Sequence, residues 1–280
     1  MIGIICQDDI NIVGHSLFLN FRTALKNYLK VDFKDVKTVE DLEGISLLFI
    51  IDEHYSPHVT VWKDDFFINT LNKKNIRTIV FNFERIHSKS FPWNVDHQNK
   101  LLQIKNLEQL VSDVEDAKIY NKKIINKQYL SKDTKLIAPK KDKLNKVLFI
   151  GQVNNYYPTR KQVISEFNNL NIPFDIIVTG RRLSYIEFLN KLNEYRFILN
   201  PLGTGMFINL RFYEALDLGC IPIQQVTQDM SSWYYKDITK GISFISLDQI
   251  NMDLLQSANI NQEKMYLEDY FEEINFKSLL

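Results

Sequence analysis

Short apolar runs alternate with longer amphipathic segments along this chain of 280 residues. Residues 15–29 and 64–76 carry apolar side chains at helical spacing, and residues 106–125 are predicted to form one long helix. Strand-like runs lie at 1–6, 45–51 and 77–83. A strand that is apolar on both faces must be covered on both sides, as in a parallel sheet with crossover helices. The pattern therefore predicts an α/β protein with parallel sheets.

The alternation breaks at the polar and basic segment 131–145 and then starts again, which indicates two domains joined by a linker. We expect two Rossmann-like domains, at 1–130 and at 146–264, that face a cleft. The amphipathic tail at 265–280 is expected to form a helix that packs back toward the first domain.

Composition excludes several broad classes of protein. Lysine plus arginine equals aspartate plus glutamate, at 34 each, so no overall charge attracts the chain to nucleic acid or to an anionic membrane. Cys6 and Cys220 lie in apolar runs, which argues against a disulfide framework and favours the cytoplasm. No apolar run approaches the ~20 residues of a membrane span, so any association with a membrane is expected to be peripheral.

Small and basic residues follow three strands of the second domain, where ligands of open parallel sheets bind. They are Gly151 and Arg160, then Gly180 and Arg181, then Gly203, Thr204 and Gly205. Backbone N–H groups at a helix N-terminus bind phosphate, and a nearby arginine adds a bidentate partner. The pattern predicts an anion site, although solvated arginines in ordinary surface turns would give the same letters.

The helical segment "LRFYEALDLG" carries Arg211 and Glu214 on one face, three residues apart. On a solvated face they would form an ion pair worth only a few tenths of a kcal/mol. The helix is apolar nearly all round, however, so both charges are expected to be buried and to need partners. A ligand would supply them, since arginine holds a diphosphate and a carboxylate accepts the two hydroxyls of a ribose.

The stretch "LRFYEALDLGCIPI" resembles the R-x-x-E-A…G-C-I-P signature of GT-B glycosyltransferases. It is close to exostosin-like enzymes and similar to the phage DNA glucosyltransferases. The resemblance implies that the second domain binds a nucleotide sugar, with Glu214 on the ribose, Arg211 on the diphosphate and Arg160 on phosphate. The loop 203–205 would line the sugar-diphosphate site. The match is most specific from Arg196 to Ile223.

The first domain offers candidates for a general base. Glu84 follows a predicted strand, and a carboxylate there would take the proton from an acceptor hydroxyl. Asp8 and Asp9, after the first strand, are the alternative. A surface carboxylate beside Arg85 is the plain interpretation of Glu84, and a turn is that of the aspartates.

The resemblance to phage DNA glucosyltransferases extends weakly to the loop after Glu84. Those enzymes follow the carboxylate with a serine and a Trp-Pro or Pro-Trp pair, whose counterparts here are Ser90 (or Ser88) and Trp93, after Pro92. His87 lies in the same loop and is a candidate for contact with the acceptor.

Neither a metal nor a cofactor is expected. His54 and His58 have helical metal-ligand spacing, but Pro57 between them favours a loop. No D-x-D triplet follows an apolar strand, which argues against the divalent-metal class of glycosyltransferases. Arginines and helix N-termini would instead neutralise a leaving diphosphate.

The predicted function is transfer of a sugar from a nucleoside-diphosphate sugar, a UDP-sugar above all, to a hydroxyl of a cell-surface glycan. One alternative acceptor is a hydroxymethylated base in phage DNA, for which "KKDKLNK" and "TGRR" would supply a local basic stripe. A second alternative is a non-catalytic module that holds a nucleotide or a glycan. A third is a sugar-nucleotide hydrolase or epimerase.

Overall fold

The computed structural model forms two compact units: Met1–Asp9 with Phe18–Lys127, and Ile10–Leu17 with Gln128–Leu280. The residues that it describes are 1–6, 15–52, 63–83, 86–87, 94–125, 130–133, 137–155, 157–178, 183–203, 209–225, 244–259 and 266–280.

The first unit contains a six-stranded sheet in which every neighbouring pair of strands is parallel. Its strands are β1 (Ile2–Ile5), β2 (Lys34–Asp35), β3 (Leu47–Asp52), β4 (Arg77–Asn82), β5 (Leu107–Val111) and β6 (Lys123–Ile124), in the order β2-β1-β3-β4-β5-β6. The helices between them are α1 (His15–Leu29), α2 (Asp65–Lys74), α3 (Asn94–Leu101) and α4 (Val114–Tyr120), with a 3₁₀ turn at Glu40–Leu42.

Both faces of this sheet are covered, as its uniformly apolar strands require. On one face Phe21 of α1 packs edge-on against Phe81 and Phe83. On the other face Phe67 and Leu71 of α2 join a cluster of buried aliphatic side chains. Alternate residues of each strand thus serve two cores.

The second unit contains a five-stranded sheet, again parallel between all neighbours. Its strands are β7 (Leu144–Gly151), β8 (Phe174–Val178), β9 (Tyr195–Asn200), β10 (Ile221–Gln224) and β11 (Ile245–Ser246), in the order β11-β10-β9-β7-β8. The helices are α5 (Pro158–Asn168), α6 (Tyr185–Asn193), α7 (Leu210–Asp217), α8 (Met252–Ser257) and α9 (Leu267–Glu273), with 3₁₀ turns at Leu247–Gln249 and Phe276–Leu279.

The helices of the second unit pack on opposite faces of its sheet. Phe149 of β7 faces α5 and contributes to the cluster that contains Phe167, whereas Ile150 contributes to the cluster formed with α6 and α7. The prediction of an α/β protein with two parallel sheets is confirmed.

The prediction of one long helix over residues 106–125 is wrong, because this segment forms β5, α4 and β6. Asp113 is the cause of the break, because its side chain caps α4 by accepting from the backbone N–H groups of Glu115 and Asp116. Asn121 then ends the helix in the left-handed conformation. The polar Gln109 of β5 is buried because it is hydrogen-bonded to the amide of Gln98 on α3.

Described residues of the predicted linker 131–145 are bonded to the second unit. Ser131 Oγ donates to Glu268 of α9 at 2.5 Å, and Lys143 Nζ donates to Asn193 Oδ1 at 2.7 Å. Strand β7 already begins at Leu144. The contacts with α9 belong to this same unit, and packing of the tail toward the first domain stays a prediction.

The helices of the described ranges include none that is long and apolar enough to cross a membrane.

Candidate functional site

The topology of the second unit creates a crevice beside β7. The chain leaves β7 through α5 to reach β8 on one side, and it later enters β9 on the other side. Because α5, which follows β7, and α7, which follows β9, pack on opposite faces of the sheet, the segments that leave the carboxyl ends of β7 and β9 diverge. Ligands of open parallel sheets bind at such a switch point. The crevice therefore lies between Gly151, which ends β7, and Asn200, which ends β9.

Arg211 extends from the first turn of α7 to the end of β7. A Cβ atom on Gly151 would lie 2.7 Å from its Nη2 atom, so a side chain there would displace the guanidinium. The Cζ atom lies 5.5 Å from the ring centroid of Phe149. The residue as a whole is half-buried, but its Nε and Nη1 atoms are inaccessible to solvent and have no hydrogen-bond partner among the described residues. Buried donors without an acceptor are costly and uncommon.

Arg160 reaches the same crevice from the first turn of α5. Its Cζ atom lies 3.8 Å from the ring centroid of Tyr157, and its Nη1 atom donates to the carbonyl of Gln152 at 3.1 Å. A Cβ atom on Gly203, in the loop after β9, would lie 3.9 Å from its Nη2 atom. The side chain is buried, and stacking on Tyr157 together with the bond to the carbonyl of Gln152 holds it in place.

The two guanidinium groups make the crevice locally positive. Burial lowers the pKa of Arg211 to about 9, and the positive charge of Arg160 contributes to the decrease. Both side chains remain cations at neutral pH. In addition, neither α5 nor α7 has a side chain hydrogen-bonded at its N-cap position. Pro158 has no N–H, and the N–H groups of Arg160 and Phe212 donate to the carbonyls of Tyr157 and Asn209. The candidate donors to an anion are therefore the N–H groups of Thr159, Leu210 and Arg211, and the positive end of each helix also favours an anion.

Glu214 lies one turn further along α7 and is 4% exposed. Burial raises the pKa of its carboxyl to about 7, against the opposing effects of a hydrogen bond from Tyr185 and the charge of Arg211. The carboxyl lies in a small pocket lined also by Tyr185, Asp217 and four apolar side chains. The four are Leu130, Ile137, Leu189 and Leu218. Glu214 is therefore held against α6.

The contact between Gly151 and Arg211 gives a direct mutational prediction. Gly151→Ala would force the guanidinium to move and would place a side chain at a backbone φ of +157°, which L residues rarely adopt, so we expect a loss of about 1–3 kcal/mol of unfolding free energy in urea denaturation. Gly203→Ala is the matched control, because 3.9 Å is an ordinary contact distance and the expected change is only about 0.5 kcal/mol. Equal losses for the two variants would contradict the close approach at Gly151.

The structure brings together Gly151, Arg160, Gly203 and Arg211 of the predicted donor-binding set. Glu214 lies on the same helix as Arg211 but faces α6. The other predicted donor-site residues lie outside the described residues: Gly180, Arg181, Thr204 and Gly205.

In the first unit, His87 is the one predicted site residue that the structure describes. Its Nδ1 atom lies 3.2 Å from the hydroxyl of Tyr120 and 3.8 Å from Asp116 Oδ1. Asp116 also accepts from the backbone N–H groups of Ile86 and His87, which fixes this stretch against α4. The remaining candidates of this unit lie outside the described residues: Glu84, Asp9 with Asp8, Ser90 with Ser88, and Trp93 with Pro92.

Sequence reasoning missed two tyrosines of the site. Tyr157 precedes the "PTR" that opens α5, so a search for aromatic residues beside the basic first turn would have found it. Tyr185 shows no such signal, because its contact with Glu214 depends on how α6 packs against α7. Within the described ranges no group of three or more histidine, cysteine or acidic residues could hold a metal, and His54 and His58 lie outside these ranges.

Comparison with known proteins gives distant structural likeness alone. No protein-family model matches the sequence, and no curated protein matches it. The fold is similar to an α,α-trehalose 6-phosphate synthase from Burkholderia multivorans, with a TM-score of 0.43 and 8% identity over 95% of this chain and 71% of that one. It is also similar to a UDP-forming α,α-trehalose-phosphate synthase from Burkholderia xenovorans in complex with glucose-6-phosphate, with a TM-score of 0.44 and 8% identity over 96% of this chain and 78% of that one.

Proposed function

We propose that this protein is a glycosyltransferase whose second unit binds a nucleoside-diphosphate sugar, a UDP-sugar in the first instance. The observation that carries the proposal is the guanidinium of Arg211. Its buried Nε and Nη1 atoms have no acceptor among the described residues, and a second cation, Arg160, reaches the same crevice. An anionic ligand would supply the acceptors and relieve the repulsion between the two charges.

A diphosphate suits the crevice better than a single carboxylate would. Two guanidinium groups converge there with the uncapped N-termini of α5 and α7, so the donors are spread over several atoms. A diphosphate offers oxygens on two phosphorus centres and can engage Arg160 and Arg211 together. We propose that Gly151 permits its close approach to the end of β7.

The position of Glu214 supports the proposal that the bound diphosphate carries a nucleoside. It is three residues beyond Arg211 on α7, or about 4.5 Å along the helix axis at a rise of ~1.5 Å per residue. A ribose attached to a diphosphate at Arg211 spans such a distance. We propose that the carboxylate accepts hydrogen bonds from the ribose hydroxyls.

Transfer would join an acceptor oxygen to the anomeric carbon of the sugar as the bond from that carbon to the diphosphate oxygen breaks. The diphosphate leaves with the electron pair, and the two arginines with the helix N-termini would stabilise its charge. Glu84 remains the proposed base for the acceptor proton in an inverting reaction, with Asp9 as the alternative. The proposed acceptor is a glycan hydroxyl.

A panel of nucleotides tests the donor site by thermal shift. We expect UDP at a hundred times its dissociation constant to add roughly 2.7 kcal/mol of stability. Pyrophosphate should stabilise the protein less, and 2′-deoxy-UDP should bind more weakly than UDP because it lacks one hydroxyl for Glu214. A panel in which no nucleotide shifts the melting temperature would contradict the donor site.

Turnover separates an enzyme from a non-catalytic binder. UDP-sugars are incubated with the protein and with glycan or hydroxymethylated DNA acceptors, and both UDP release and product mass are measured. Transfer to glycans supports the proposal, while salt-sensitive transfer to DNA would support the DNA-modifying alternative. Stabilisation by UDP without any turnover would leave only the binding module.

A further inference from the structure

Tyr185 is held rigidly at the start of α6. Ser184 and Glu187 form a capping box, in which the N–H of Glu187 donates to Ser184 Oγ and the N–H of Ser184 donates to the Glu187 carboxylate at 2.8 Å. Tyr185 is the first residue of the helix and is buried, with its ring close to that of Phe188. The cap and the packing together fix the direction of its hydroxyl.

Tyr185 lines the same small pocket as Glu214, and its hydroxyl lowers the pKa of the Glu214 carboxyl in the way that a hydrogen-bond donor does. From α7 the pocket also receives Asp217, and Arg211 acts on the carboxylate from one turn away. Among the described residues before β7, Leu130 and Ile137 line the pocket, and α6 contributes Leu189 besides Tyr185. Tyr185 and Arg211 are thus the groups that favour the ionised carboxylate over the protonated one.

We propose that Tyr185 is a positioning residue of the nucleotide site, which orients the Glu214 carboxylate and keeps it ionised so that it accepts the ribose hydroxyls. This inference rests on the proposed function. One hydrogen bond from Tyr185 occupies one of about four lone-pair positions of the carboxylate, which leaves acceptors for two hydroxyls. A protonated Glu214 would instead present an O–H donor and would bind the two ribose hydroxyls less well.

The arrangement couples nucleotide binding to a proton. The Glu214 carboxyl of the ligand-free protein has a pKa of about 7, so it is partly protonated at neutral pH. The two ribose hydroxyls bind its ionised form. Binding therefore releases a proton, and affinity rises with pH through about 7 and then levels off. Loss of the Tyr185 hydroxyl removes a group that favours ionisation, so this transition moves to higher pH.

The experiment measures the dissociation constant of UDP by calorimetry from pH 5.5 to 8.5 in the wild type, Tyr185→Phe and Glu214→Gln. We expect Tyr185→Phe to weaken binding about three- to tenfold at pH 7, with recovery at pH 8.5. Glu214→Gln should give a nearly flat profile. Tyr195→Phe is the matched control, because this buried tyrosine of the same unit donates to Asp175 instead, and its profile should follow the wild type.

A purely structural role of Tyr185 predicts a different outcome. In Tyr185→Phe, an affinity for UDP that is weakened by the same factor at every pH, or a pH dependence of affinity with the wild-type midpoint, would overturn the positioning role alone. Failure of the wild type to bind UDP would overturn the proposed function and the role together. Carbon-13 NMR of the Glu214 carboxyl in the ligand-free protein then supplies a separate readout, in which an unchanged titration midpoint in Tyr185→Phe counts against the hydrogen bond itself.

Discussion

Replacing Arg211 with methionine is expected to stabilise the ligand-free protein and to abolish its response to UDP. The guanidinium has buried donors without acceptors among the described residues, and it lies near the positive Arg160. Exchange of a charge that Glu214 compensates only in part for an apolar side chain is expected to add about 1–2 kcal/mol to the unfolding free energy. A methionine sulfur would also keep a favourable contact with the ring of Phe149.

The same substitution removes the side chain that is proposed to bind the diphosphate most directly. Loss of one partner of a buried charge pair costs about 2–5 kcal/mol, so UDP should bind at least thirtyfold more weakly. Urea denaturation without nucleotide and thermal shift with UDP measure the two effects separately. Greater stability combined with lost binding would identify Arg211 as a residue retained for its ligand.

Arg196 provides a control of the same residue type in the same unit. Its guanidinium donates to the carbonyl of Ala258 at 2.7 Å and to Asn145 Oδ1 at 3.3 Å. Arg196→Met should therefore lower stability and leave the UDP-induced shift intact. Destabilisation by Arg211→Met with normal UDP binding would refute the proposed diphosphate site.

Glu214→Gln is expected to change how stability depends on pH. The folded carboxyl has a pKa of about 7, whereas the ordinary value is 4.5, so the folded protein binds this proton more tightly than the unfolded chain does. The associated stability is fully present below about pH 4.5 and is lost as pH rises through about 7. At 1.36 kcal/mol per pKa unit the total is roughly 3 kcal/mol.

The glutamine variant lacks this ionisation. Without nucleotide it should be more stable than the wild type at pH 8, by up to roughly 3 kcal/mol, and about equal to it at pH 5. Urea denaturation at half-unit steps of pH measures the difference. Glu268→Gln offers a contrast, because that carboxylate accepts from Ser131 and from the backbone of Lys132, and the variant should lose stability at neutral pH. Parallel pH profiles for the wild type and Glu214→Gln would show that Glu214 is not held in a desolvating environment.

The local sequence pattern was sufficient to predict elements whose apolar residues recur at a regular spacing. The apolar spacing of "HSLFLNFRTALKNYL" predicts a helix over residues 15–29, and α1 has these bounds. Residues 106–125 mislead because Gln109 and Glu108 make a buried strand read as an amphipathic helix. The burial of Gln109 is satisfied by amides of Gln98 and Asn82, a contact that only the folded sheet creates.

The candidate site, too, could be predicted from the sequence only in part. Gly151 and Arg211 could be selected because one ends an apolar strand and the other interrupts an apolar helix, and the fold brings them together. The orientation of Glu214 could not be predicted. Spacing along α7 groups it with Arg211, but its hydrogen bond comes from Tyr185 on a helix that is distant in sequence. Pairing between helices is set by the packing of the unit.

Residues at opposite ends of the main segment of the second unit lie side by side. Leu130 pairs with Tyr266, its carbonyl accepts from the N–H of Leu267 at 2.8 Å, and Lys132 Nζ lies 2.5 Å from Asp269. Lys132 and Asp269 are 137 positions apart in the sequence. Because the entropy of closing a loop grows only with the logarithm of its length, so wide a separation adds little to the cost of forming these contacts.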